Sequence, residues 1–271
     1  MKLAICNEMF EKRPLGEVID FVAQLGYDGI ELAPFTLAGH ADDVLPATRA
    51  QIRKHASDAG ISVVGLHWLL VTPAGLHIAA RDPQVRKQTI KYLKSLATLC
   101  ADLGGKIMVF GSPKQRNVPE GESYDENWLL AVDTIRQAGQ FCQGLGVVIA
   151  MEPLRSDLTN FLQTAAECRR FVDEVALPSV RMTLDCYSMA PMEESIPAAL
   201  RAQADVVSHV HLNDDTGREP GTGSVDFVAV GQALRDIGYQ GYASIEVFEF
   251  KPDAETIATR GLAHIRQAFG L

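Results

Sequence analysis

The chain has 271 residues, 47% of them hydrophobic, and a formal net charge of −9. That surplus of acid sets the surface as a whole against nucleic acid and anionic membrane, and leaves a neutral or small anionic substrate open. No uninterrupted apolar run approaches the ~18 residues of a membrane-crossing helix, and the first residues, MKLAICNEMF, contain no signal-peptide core.

Strand and helix patterns alternate along the whole sequence. LAICN (3–7) leads into the amphipathic LGEVIDFVAQLG (15–26), and GYDGIELAP (26–34) into a helix over 47–59. SVVGLHWLL (62–70) is the third predicted strand, and a long periodic helix over 83–103 follows it. KIMVFGSP (106–113) precedes a helix over 128–145, and VVIAMEP (147–153) one over 161–175. VRMTLD (180–185), SHVHLND (208–214) and YASIEVFEF (242–250) are followed by helices near 196–204, 227–237 and 254–269. Leu25-Gly26-Tyr27 and Ile237-Gly238-Tyr239 repeat one phrase, in which glycine supplies the left-handed cap that ends a helix.

Eight such βα units demand a parallel sheet and favour its closure into an α/β (β/α)8 TIM barrel, a single domain spanning residues 1–271. No Gly-rich dinucleotide fingerprint follows the first strand, which argues against a Rossmann fold. The segments 112–125 and 214–224 are longer or odder than connectors need to be, and in a barrel both lie at the C-terminal face, where active sites are built, with 71–82 as a third wall of the same mouth. The five cysteines (Cys6, Cys100, Cys142, Cys168, Cys186) form no CxxC pair, so free thiols and a cytoplasmic setting are expected.

Residues two apart on a strand share a face. Strand five then sets Glu152 and Ala150 opposite Ile149 and Met151, and strand six sets Asp185 and Thr183 opposite Met182 and Leu184. Strand seven aims His209, His211 and Asn213 one way, and strand eight does the same with Ser244, Glu246 and Phe248. The top layer of the barrel interior would hold Glu152, Asp185, His211 and Glu246. Three carboxylates around one imidazole repel one another unless a cation joins them. Three oxygens and a nitrogen suit Mn²⁺ first, then Mg²⁺ or Co²⁺, with Zn²⁺ also admissible. Such an ion would polarise a substrate carbonyl, and a carboxylate beside it would take the proton from the adjacent carbon. His209 belongs one layer beneath, Glu31 bonds a neighbouring strand end, and His67 is a candidate for the pocket wall. Lys114, Arg116, Arg155 and Arg218 are solvated loop charges; Lys114, Arg155 and Arg218 are the candidates to reach substrate.

At GYDGIEL, MEPL, TLD, HVHLND, PGTGSVDF and SIEVF the sequence resembles the xylose-isomerase-like sugar isomerase and epimerase superfamily, nearest the D-tagatose and D-psicose 3-epimerases, with inosose isomerases and dehydratases alongside. The resemblance implies that Glu152, Asp185, His211 and Glu246 are the metal ligands. It also implies that Glu152 and Glu246 are the acid/base pair on opposite faces of an enediolate. Three positions depart from the 3-epimerases. Leu158 stands where they carry a glutamate, Ser188 where they carry a histidine, and Gly217, with Arg218 next to it, where they carry an arginine. Ser188 therefore joins the substrate-binding candidates, and ketohexose specificity does not carry over.

The expected function is a metal-dependent isomerase or epimerase of a ketose, related sugar or keto-polyol. The rival on the same scaffold is a lyase, either a keto-inositol dehydratase or an oxo-sugar-acid decarboxylase. An endonuclease-IV-like phosphodiesterase would need a histidine-rich zinc cluster and a cationic face, and seven histidines with a charge of −9 argue against it. Barrels of this kind commonly dimerise, so a homo-oligomer is expected by analogy.

Overall fold

The computed structural model describes residues 1–193 and 195–271. Eight parallel strands run in sequence order around a closed barrel: β1 (Lys2–Cys6), β2 (Gly29–Leu32), β3 (Ser62–Leu66), β4 (Ile107–Phe110), β5 (Val148–Met151), β6 (Val180–Asp185), β7 (Val207–Leu212) and β8 (Tyr242–Ile245). β8 pairs back onto β1, so no edge strand is left for another chain to extend. The principal helices are α1 (Leu15–Leu25), α2 (Pro46–Asp58), α3 (Pro83–Asp102), α4 (Tyr124–Leu145), α5 (Ala165–Val175), the single-turn α6 (Cys186–Met189), α7 (Ile196–Ala202), α8 (Phe227–Asp236) and α9 (Ala254–Phe269).

The core lies between barrel and helices. Ile5, Ile30, Leu66, Met108, Ile149, Met182, Val210 and Ile245, one from each strand, are fully buried in it, each worth ~1.5–3 kcal/mol of transfer free energy. The alternate positions Glu31, Thr183, His209, His211 and Ser244 are equally buried but polar. An interior of this kind departs from the branched aliphatic filling usual for such barrels. Register fixes the level of these groups. Asp185 pairs with His211 and His211 with Ser244 across β6, β7 and β8, while Cys6 pairs with Glu31 across β1 and β2.

Helix ends follow local chemistry. Gly26 (φ 95°) and Gly238 (φ 65°) take the left-handed turn expected of them. Two helix starts differ from the sequence reading. α4 begins at Tyr124 rather than 128 because Ser123 accepts the Glu126 amide. α5 begins at Ala165 rather than 161 because Thr164 caps the Glu167 amide, while Phe161 instead packs edge-on against Trp128 and Phe171. The third strand stops at Leu66, and by Trp68 the backbone has turned left-handed (φ 53°). Among the described residues, no helix is long and apolar enough to cross a membrane. The five cysteines are free and buried.

A candidate metal centre at the C-terminal face

The strands stop just short of the chemistry. Glu152 and Glu246 each follow the last residue of their strand, Asp185 is the last residue of β6, and His211 is one from the end of β7. All four are buried, and each offers one ligand atom within 4.8 Å of the other three. His211 stands between the acids, with Nδ1 2.9 Å from Glu246 Oε2 and 3.2 Å from Glu152 Oε1. Its other nitrogen, Nε2, lies 3.3 Å from Glu31 Oε1, so ring orientation is fixed from behind, as metal-binding imidazoles require.

Electrostatics fit a cation in this nest. Burial, with Glu152 and Glu246 adding to it, pushes the Asp185 carboxyl up to about 7. Burial also raises Glu246. For His211, burial works against the charged ring, but Glu246 and Glu31 outweigh it and hold the imidazole well above the usual histidine range. Groups this close resist being anionic together, and a divalent ion bound to three oxygens and a nitrogen removes that conflict. The donor set therefore fits a divalent metal.

A second layer holds these four side chains. Glu31 Oε2 accepts from Ser244 Oγ at 2.7 Å and lies 2.7 Å from His209 Nε2, so Glu31 is a central anchor rather than a strand-end contact. His209 occupies the layer beneath the ligands. Asp185 accepts from the Ser188 amide at 2.6 Å and from Asn213 Nδ2 at 2.6 Å, and Asn213 Oδ1 in turn takes the Tyr187 amide at 2.8 Å. The period-two pattern that singled out these four residues also marked Glu31, set between Ile30 and Leu32.

Arg116 corrects the sequence reading. It is fully buried rather than solvated, because its guanidinium has carbonyl partners that no local pattern announces. Nη1 donates to the Glu152 carbonyl at 2.6 Å, Nη2 to that of Phe110 at 2.9 Å, and Nε to that of Ser112 at 3.4 Å. The side chain thereby ties the loop after β4 to the strand end that carries Glu152. Burial lowers its pKa to about 10, still far enough above neutrality to keep it charged.

Above the ligands lies a cavity of about 160 Å³, lined by Glu152 and Glu246 but not by Asp185 or His211. His67 forms part of its wall, with Nε2 2.7 Å from Glu8 Oε2. Glu8 sits in a short turn after β1 that the sequence reading passed over; among the described residues its other oxygen and His67 Nδ1 have no hydrogen-bond partner, although Nδ1 lies 3.8 Å from Glu31 Oε1. Trp68, Tyr187 and Phe248 form an aromatic side, with ring centroids 6.3 Å apart for Trp68–Phe248 and 5.0 Å for Tyr187–Phe248. Holding Trp68 left-handed costs ~1–3 kcal/mol, and strain of that kind clusters at functional sites.

The other candidates for substrate contact lie off the cavity lining. Lys114 is exposed. Arg155 bonds Asp157 at 2.6 Å and lies over the Tyr187 ring at 4.4 Å. Arg218 turns toward Glu219 at 3.4 Å. Ser188 is buried behind Asp185.

A closed parallel barrel with a buried acid–imidazole cluster at the C-terminal ends of its strands defines a class of metal-site (β/α)8 enzymes. Residues 19–268 match the xylose isomerase-like TIM barrel family, and the chain belongs to it. The 3-dehydro-D-guloside 4-epimerase of Escherichia coli is 28% identical over 253 residues, covering 91% of this chain and 92% of that protein. The D-psicose 3-epimerase of Agrobacterium fabrum is 30% identical over 244 residues, covering 86% and 79%. Among solved structures, D-psicose 3-epimerase with D-tagatose from Clostridium cellulolyticum H10 aligns over 99% of both chains with a TM-score of 0.86 and 22% identity. The apo 3-keto-D-glucoside 4-epimerase of E. coli gives a TM-score of 0.85 at 24% identity, covering 98% of this chain and 99% of the other. At those identities the structures speak for the fold.

Proposed function

We propose that this chain is a divalent-metal-dependent epimerase or isomerase of a keto-sugar, moving a proton on a carbon beside the carbonyl. The observation that carries this is the convergence of Glu152, Asp185, His211 and Glu246 within 4.8 Å, with Glu152 and Glu246 lining one cavity. Its relatives are sugar epimerases, which favours returning a proton to carbon over expelling water or CO₂, and leaves the lyase reading without support.

Glu152, Asp185, His211 and Glu246 would hold the ion, with Mn²⁺ the leading candidate. When bound, the metal supplies a Lewis acid for the carbonyl oxygen. Glu152 and Glu246 are the two members of the cluster that also face the cavity. In this reading one takes the proton from carbon and the other delivers one to the opposite face. His67, oriented by Glu8, holds a substrate oxygen. Residues 1–271 act as one catalytic domain, and five buried free thiols suit the cytoplasm.

The test is a screen of ketoses, inososes and keto-glycosides in D₂O with added Mn²⁺, read by NMR. Deuterium should appear at carbon without loss of water or CO₂. Glu246→Gln should slow that exchange by ~10²–10⁴-fold, the usual contribution of a positioned base. Exchange by the variant at the wild-type rate would sink the assignment, as would a wild-type enzyme inert toward every sugar.

A further inference from the structure

The cavity is polar at its floor and apolar above. His67, Glu152 and Glu246 supply the charged and imidazole groups, while Pro113, Leu154, Leu158, Tyr187, Phe248 and the Trp68 indole form the walls. Its volume, about 160 Å³, is that of roughly one six-membered ring, since an engineered cavity of ~150 Å³ takes up benzene. Leu158 is 39% exposed at the rim, so the apolar surface continues outward from the ring-sized chamber. The nearby cations are turned elsewhere, Arg155 to Asp157 and Tyr187, and Arg218 to Glu219. A phosphate or carboxylate on the substrate therefore meets no lysine or arginine in the cavity lining formed by the described residues.

These walls suit hydrogens, not hydroxyls. The free chain of a ketohexose would press several hydroxyls against carbon, and a buried hydroxyl without a partner weakens binding. A closed sugar ring avoids this by turning its C–H face to Trp68 and Phe248.

Resting on the epimerase reading, we propose that the substrate is a neutral keto-sugar glycoside with an apolar aglycone. The keto ring lies over Glu152 and Glu246, and an alkyl or aryl aglycone lies along Leu158, Tyr187 and Phe248. Trp68 is the lateral platform, its left-handed backbone holding the indole at the mouth.

The experiment compares phenyl and methyl 3-keto-glucopyranosides with free D-psicose and D-tagatose by deuterium exchange in Mn²⁺-loaded protein. A parallel titration uses phenyl and methyl β-D-glucopyranosides, which have no ketone and report binding alone. The phenyl keto-glycoside should exceed the methyl one at least tenfold in kcat/KM, within the ~10–200-fold that a single apolar group commands in a hydrophobic pocket. The free ketoses should trail both. Leu158→Glu, at an exposed position that folding tolerates, should cut the phenyl-to-methyl ratio below about threefold, and Phe248→Ala should lower it too. A wild-type ratio near one, or free ketoses that exchange as fast as the glycosides, overturns the inference. Exchange with no sugar refutes the epimerase reading, and the titration then decides this inference by itself. Tenfold tighter binding of the phenyl glucoside sustains the apolar subsite, and equal binding removes it.

Discussion

Gly111 offers a sharp test of the metal centre without touching a ligand. It lies in the cavity wall after β4, and its backbone is not left-handed, so alanine is conformationally allowed there. A Cβ built at that position, however, overlaps Glu152 Oε2. The carboxylate of Gly111→Ala must swing aside, and Glu152 Oε1 then leaves its place 3.2 Å from His211 Nδ1. Displacing a ligand without deleting it resembles loss of an outer-shell support, which typically costs ~10–100-fold in metal affinity, or about 1.4–2.8 kcal/mol. Mn²⁺ titration by calorimetry or EPR reads the affinity, and circular dichroism and Tm in chelator establish that the fold persists. Deuterium exchange at saturating metal should also fall, because Glu152 no longer faces the substrate. Metal affinity and exchange both within twofold of wild type would refute this geometry and Glu152's place in the ligand set.

Chelation should lower Tm, since a ligand that binds only the folded state at 100 times its Kd adds about 2.7 kcal/mol, or ~5–11 °C for domains of similar size; identical melts with EDTA and Mn²⁺ would count against the centre. Glu31→Gln removes the charge shared by His209, His211 and Ser244. Breaking a buried pair costs ~3–5 kcal/mol, so a Tm drop of ~6–20 °C is expected, and a variant melting with the wild type would show that the anchor is dispensable. Gly65→Ala drives a methyl into the Ile107 carbonyl where β3 and β4 meet. Because backbone has to move, the cost should exceed the ~1–3 kcal/mol of ordinary overpacking, measurable as lost soluble yield or a lowered denaturant midpoint; unchanged stability would contradict the close strand approach.

The convergence of these four side chains was legible because a strand has a period of two and these strands end where their polar residues begin. Glu152, Asp185, His211 and Glu246 stood out against Met151, Leu184, Leu212 and Ile245 with no knowledge of neighbours. Glu31 carried the same signal, but its role depends on reaching across the barrel to His209, a contact 178 residues away. Arg116 gave no signal: a charged residue in a Pro- and Gly-containing loop looks solvated, and the carbonyls that make its burial tolerable come from β4 and β5. The overlong third strand had a related cause. Trp68, Leu69 and Leu70 continue the apolar run, and periodicity does not reveal that the backbone at Trp68 has turned left-handed.

Arg116 also bears on how this scaffold can be remodelled. Surface loops are ordinarily the interchangeable parts of a barrel, yet here the connector after β4 carries the pin that caps Phe110 and Glu152. A graft that exchanged residues 112–123 for a foreign loop would unfasten the strand end that carries Glu152. Redesign of that segment for new sugars has to retain a guanidinium at position 116, and redesign of the connector after β7, folded about its own Asp214, has to retain the Gly217 carbonyl that accepts the Phe248 amide at 2.8 Å.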